Sequence, residues 1–177
     1  MCLSQGNVYF ICIRQDVDNK TFEFPKETKI NKTIEDILLP DDAIDETLYV
    51  NRNKCNLNYK YANNNLFDDK EKRILSNGFI GRKKHFSNHI YDTKGIMCTY
   101  TKAHKSTTDG GVLTTNKIRR LHKREVMRLF GYPETYKIHK SHYIACQQAG
   151  NSVVVNVLQS IIKSLIDTKA IKNFNKY

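Results

Sequence analysis

Val154, Val157, Leu158, Ile161 and Leu165 recur at i, i+3, i+4, i+7 and i+11. That spacing lays apolar side chains along one face of an α-helix. Asn151 and Ser152 stand just before the stripe, and both are good N-caps, so the pattern predicts a helix from about 151 to about 165. A face of this kind is read as core packing, which commits the chain to a layered, folded arrangement. With 177 residues and 20.6 kDa there is material for one ordinary domain. Hydrophobic residues at 40%, charged residues at 27% and few Gly and Pro exclude collagen-like and wholly disordered chains. The valine run 153–155 is interrupted by Asn156 and Gln159, and no uninterrupted apolar run approaches the ~20 residues of a membrane helix. The first ten residues lack a basic region followed by an apolar stretch. The expectation is a cytoplasmic protein without a membrane partner.

Other elements are shorter. Residues 8–13, VYFICI, are apolar, β-branched and aromatic, which suits a buried strand. Phe22, Glu23 and Phe24 read as a second extended piece stopped by Pro25, and Thr33 as the N-cap of a helical turn ended by Pro40. Residues 41–72 are polar and Asn-dense, a loop-rich lobe or a linker. Ile90-Tyr91 and residues 96–101 read as strands around a Thr93-Lys94-Gly95 turn. A helix over 123–130 places Val126, Leu129 and Phe130 at helical spacing, with Gly131 as its C-terminal cap and Pro133 preventing continuation.

Charge divides the chain unevenly. Through residue 72 there are 10 basic and 13 acidic side chains, and from 73 onward 19 basic and 5 acidic. A segment this basic points to a polyanion such as nucleic acid. The five cysteines are odd in number and have no CxxC spacing, so neither a disulfide framework nor a zinc cluster is indicated. The pairs His85/His89 and His139/His142 lack acidic or cysteine partners at ligand spacing and are read as loop histidines; no metal is expected.

Two segments are specific. Residues 120–133, RLHKREVMRLFGYP, resemble the ninth motif of DNA cytosine-5 methyltransferases, and residues 148–157, QAGNSVVVNV, look like the tenth, in the family's order. Residues 8–16 look like the strand half of the eighth motif. The resemblance is to the HhaI-type group, in which 90–96, IYDTKGI, also has a counterpart. It covers almost the whole chain, most weakly between about 41 and 84.

The resemblance implies a mixed α/β fold: a small target-recognition domain, plus a leading strand and a C-terminal helix that pack on a Rossmann-like methyltransferase domain. The implied division is 1–30 for the end of the catalytic sheet, 31–140 for the target-recognition domain with motif IX, and 141–177 for the motif X turn and last helix. Asn151, Ser152 and Val153 are carried over as contacts to S-adenosyl-L-methionine, a cofactor shared with an N-terminal half. Lys83, Lys84, His89, Lys94, Thr99, Lys102, Lys105 and Arg120 are implied contacts to duplex DNA. Arg120, Glu125 and Arg128 read either as phosphate contacts or as a salt-bridge set, and the structural role carries more weight.

The same resemblance shows what the sequence lacks. No Pro-Cys dipeptide supplies a nucleophile for attack on a flipped cytosine. The Glu-Asn-Val and F-x-G-x-G motifs are also missing, and the two arginines of motif VIII fall on Gln5 and Asn7. The chain thus resembles the C-terminal portion of such an enzyme, with no catalytic residue of its own and no activity expected alone. It would be catalytic with an N-terminal half in trans, or else a non-catalytic DNA-binding module or truncated remnant.

Overall fold

A computed structural model describes residues 8–26, 32–57, 61–63, 74–81, 88–97, 100, 110–114 and 117–172. The fold is mixed α/β. Strands β1 (Cys55–Asn56), β2 (Tyr61–Asn63), β3 (Ile74–Ile80), β4 (His89–Asp92), β5 (Gly111–Leu113) and β6 (Ile118–Arg120) form one sheet in the order β1-β3-β4-β5-β6. β2 pairs with β3 off this path; β4 and β5 are parallel and every other pair is antiparallel. Among the described residues the α-helices are α1 (Lys123–Leu129), α2 (His142–Gly150) and α3 (Val155–Asp167), all after the sheet.

β3 carries a bulge between Ser76 and Gly78. Gly78 has φ +148°, and a Cβ there would sit 2.1 Å from the Asn56 carbonyl oxygen. Glycine is what lets β1 close onto β3 at this point. The main core gathers Ile34, Ile37, Tyr91, Ile96 and Met97 with Val126, Leu129 and Phe130 of the α1 region, Ala145 and Ala149 of α2, and Val154. The sheet, α1 and α2 therefore share one apolar centre.

Several expectations change. α1 is where the pattern predicts it, and Gly131 follows with φ +83°. The last helix starts at Val155 rather than 151, because an unforeseen helix, α2, occupies 142–150 and takes Asn151 as its C-cap. Gly150 is thus the last residue of α2. Little in the residue pattern marks α2, since its apolar face is weakly segregated and made of the small residues Ala145, Cys146 and Ala149.

The stripe on α3 is only partly core. Val154 and Ile161 are buried, Val157 and Leu165 are half-buried, and Leu158, Ile162 and Ile166 are exposed at 37%, 51% and 45%. Residues 8–13 form no strand, and Val8 and Phe10 are exposed; a strand needs a neighbour to receive its hydrogen bonds, and the described residues place none beside this segment. Residues 16–23 instead run along the end of α3. Asn19 N donates to Ala170 O at 2.9 Å, Thr21 Oγ1 to Thr168 O at 2.7 Å, and Ser164 Oγ to Glu23 O. Thr33 is not the cap: its hydroxyl donates to Asp36 Oδ2 at 3.2 Å instead of accepting from a backbone N–H, Ile34 holds the cap position, and the turn is a short 3-10 segment, Glu35–Ile37. Ile96 and Met97 are buried, Met97 in a β-bridge, and 98, 99 and 101 lie outside the described residues.

Counting uninterrupted apolar residues also understated one segment. His142–Asp167 holds an 18-residue window of mean hydropathy 1.2, enough by length and composition to cross a membrane, and 17% of that window is buried. The Asn151–Val154 turn breaks it into α2 and α3, which leaves backbone groups that hydrocarbon does not satisfy.

Candidate functional site

The ninth-motif segment is organised around a buried ion pair. Arg119 at the end of the sheet and Glu125 in the first turn of α1 are both fully buried. Two parallel bonds of 2.8 Å join them, Nη1 to Oε2 and Nη2 to Oε1. The carboxylate also accepts from Leu39 N at 2.6 Å and His122 N at 2.7 Å. Burial works against the Arg119 charge, but the hydrogen bonds and charge of Glu125 outweigh it and hold the guanidinium above its ordinary range. His122 caps α1, its Nδ1 accepting from Arg124 N at 3.2 Å while Glu125 reaches back to it.

Arg128 donates to Glu134 at 2.7 Å and to the Ile37 and Leu38 carbonyls at 3.1 and 3.4 Å. Glu125 and Arg128 are thus committed to tying α1 to the 35–39 turn, which favours the salt-bridge role over phosphate contact. Arg119, the residue that makes the pair, reads in sequence as part of the basic run that points to a polyanion, and the fold instead buries it against Glu125. A Glu three residues after a potential cap was the available signal.

The tenth-motif turn leaves this framework directly. Val155 N donates to Phe130 O at 2.9 Å, and Gly131 lies so close to Asn156 that a Cβ would sit 2.8 Å from its Oδ1. Between these anchors Asn151 is exposed, Ser152 Oγ donates to Ala149 O at 2.7 Å, and Val153 is 38% exposed. The three residues are contiguous on a rigidly held, accessible turn. An exposed amide and an apolar side chain side by side fit one edge of a site for a molecule with polar and apolar parts, as S-adenosyl-L-methionine has.

The residues expected to touch DNA are placed unevenly. Lys83, Lys84, Thr99, Lys102 and Lys105, like Gln5 and Asn7, lie outside the described residues. Lys94 is exposed on the turn after β4, whose backbone is fixed by Lys94 N to Asp92 Oδ1 at 2.9 Å. Arg120 is half-buried in β6, near enough to His142 to lower its proton affinity. His89 is 8% exposed and its Nδ1 lies 2.8 Å from Ser76 Oγ. Its ring supports the β3 bulge rather than facing solvent, a correction to its reading as a DNA contact, and sequence spacing does not distinguish the two faces of a strand flanked by turns. Among the described residues no group of three or more His, Cys, Asp or Glu side chains is arranged to hold a metal ion.

Comparison with known families settles the kinship of these motifs. The family model for C-5 cytosine-specific DNA methylase matches residues 7–167. The chain belongs to that family. The type II methyltransferase M.HhaI of Haemophilus parahaemolyticus is 36% identical over 156 residues, 87% of this chain and 46% of that protein. The type II methyltransferase M.Bsp6I of Bacillus sp. is 26% identical over 170 residues, 92% of this chain and 49% of that protein. The chain spans about half the length of these methylase relatives. Among solved structures, the Dnmt2 methyltransferase of S. pombe shares the fold with a TM-score of 0.50 at 17% identity, over 78% of this chain and 43% of that one.

Proposed function

We propose that this chain is the C-terminal, target-recognition part of a DNA cytosine-5 methyltransferase. Completed by an N-terminal half that carries the Pro-Cys nucleophile, it takes part in methyl transfer from S-adenosyl-L-methionine to cytosine C5 in duplex DNA. The observation that carries the reading is the junction of the two motif segments, where the turn at 151–154 is anchored to Phe130 and Gly131. In that arrangement one rigid connection links the recognition sheet to the cofactor edge.

Bound S-adenosyl-L-methionine supplies the electrophilic methyl group. This chain's share is to position. Asn151, Ser152 and Val153 form one edge of the cofactor site. Lys83, Lys84, Lys94, Thr99, Lys102, Lys105 and Arg120 are assigned to duplex DNA, by phosphate contact and major-groove donors. The apolar residues Leu158, Ile162 and Ile166 of α3, with Val8, Phe10 and Phe24, are exposed, and they are the surface on which the N-terminal half docks and excludes water. Domain limits of 1–30, 31–140 and 141–177 follow from this reading. The type II designation of the relatives fits a place in a restriction-modification system.

The test is transfer of labelled methyl groups to mixed-sequence duplex DNA, by this chain alone and co-expressed with an N-terminal methyltransferase half. Label incorporated only by the mixture supports the proposal. No incorporation, with salt-sensitive DNA binding retained, favours a non-catalytic binding module. Incorporation by this chain alone overturns the assignment of the nucleophile to another segment.

A further inference from the structure

Residues 135–166 contain no aspartate or glutamate, while Lys137, His139, Lys140 and His142 fall within six consecutive positions. Glu134, which precedes them, is occupied by Arg128 at 2.7 Å and lies 3.9 Å from Arg124. Asp45 is the carboxylate that acts on His142 from another element, and it is weaker in effect there than His122, Lys123 and Arg120. The stretch itself therefore carries one sign of charge, with Glu134 and Asp45 as the described carboxylates that border it.

The connection between α1 and α2 has no regular secondary structure, yet it is tied down along its length. Lys123 Nζ reaches the Lys140 carbonyl at 2.6 Å and that of His139 at 3.4 Å, and Arg124 reaches the Tyr136 carbonyl at 3.2 Å. The Tyr132 and Tyr136 rings lie 4.5 Å apart, and Ile138 packs on the main core. Two cations of α1 thus satisfy the loop's carbonyls from within, and its own cations are left facing out. Lys137, His139 and Lys140 are exposed, with Tyr136 at 44% and Tyr143 at 41%. Ordering a loop of this length costs conformational entropy, and a loop ordered in this way presents its side chains without further loss on binding.

We propose that this loop and the first turn of α2 form a second, sequence-independent contact surface for the phosphate backbone of duplex DNA, separate from the residues between Lys83 and Arg120 assigned to DNA above. Lysines and tyrosine hydroxyls on a rigid framework suit phosphate oxygens, which position a duplex without reading its bases. The surface is carried on α1, which follows β6 after two residues, so it is rigidly joined to the recognition sheet. The inference rests on the reading that this chain acts on duplex DNA.

Two measurements test it on the full chain. Acetylation of lysines by an amine-reactive reagent, with and without mixed-sequence duplex DNA, is expected to show Lys137 and Lys140 protected by DNA. The double variant Lys137→Ala, Lys140→Ala is expected to lower the slope of log affinity against log salt by about one for each lysine that neutralises a phosphate. Unchanged reactivity of both lysines together with an unchanged slope, while wild-type binding stays salt-sensitive, overturns this surface and leaves the recognition reading standing. Absence of any salt-sensitive DNA binding by the wild-type chain overturns both. Loss of binding to anionic lipid vesicles in the variant, with DNA binding unaltered, also overturns it by giving the surface to a different partner.

Discussion

Glu125 is the residue on which the ninth-motif segment depends most. It takes both guanidinium bonds of Arg119 and two backbone N–H bonds, all away from water. Replacing it with alanine strands a buried cation and two donors, and Glu125→Ala is expected to cost about 3–5 kcal/mol, read as a lowered urea midpoint. Next to it, His122 and His142 stand with rings 6.5 Å apart, and both have proton affinities below the ordinary histidine range. Burial is the first cause for each. His122 then adds to the lowering at His142, and neighbouring lysines and arginines act on both. Above about pH 6.5 the rings are neutral in folded and unfolded chains alike. Below that value the unfolded chain takes up protons first, so stability falls as the pH drops toward the folded-state values. Protonated Nδ1 of His122 also ceases to accept from Arg124 N. Thermal melts at about pH 7.5 and about pH 5.5 are expected to show this loss, and His122→Asn, which keeps a capping acceptor without titrating in that range, is expected to reduce it. An unchanged pH dependence in that variant would remove His122 as the cause.

At the scale of elements, α3 separates two kinds of apolar residue that look alike in sequence. Ile161 is buried at 5% exposure, and Ile161→Ala is expected to cost about 2–5 kcal/mol of stability in the chain alone. Ile162, its neighbour, is 51% exposed. Ile162→Glu is expected to leave the isolated chain's melting nearly unaltered and to abolish co-purification with an N-terminal methyltransferase half. Melting and pull-down measured on both variants check the pair of outcomes. Periodicity located α1 and most of α3 because each carries an apolar spacing and, for α1, a Gly-Tyr-Pro stop. It missed α2, whose buried face is made of alanine and cysteine with little contrast against the rest. It also missed β5 and β6, three residues each, which are too short for any period to register.

For the whole molecule, the excess of basic charge from residue 73 onward sets an expectation for association with DNA. Binding to mixed-sequence duplex should weaken steeply and log-linearly with added salt, measured by anisotropy across a salt series; a flat response would remove phosphate contact as the source of affinity. Family membership, the charge asymmetry and the positions of the two motif segments were all present in the residue order, because each is local or additive along the chain. Which side of α3 is covered, which arginine is buried and where His89 points were decided by folding, since each depends on residues far away in sequence. Arg119 is buried only because Leu39, Asp41 and Glu125 converge on it from separate segments. His89 faces inward because the bulge in β3 presents Ser76 to it. The turn at 151–154 has its place because Val155 bonds Phe130 across the gap between the two motifs. A pattern of residue types records which side chains are able to be buried, and only the packed chain determines which of them find a partner.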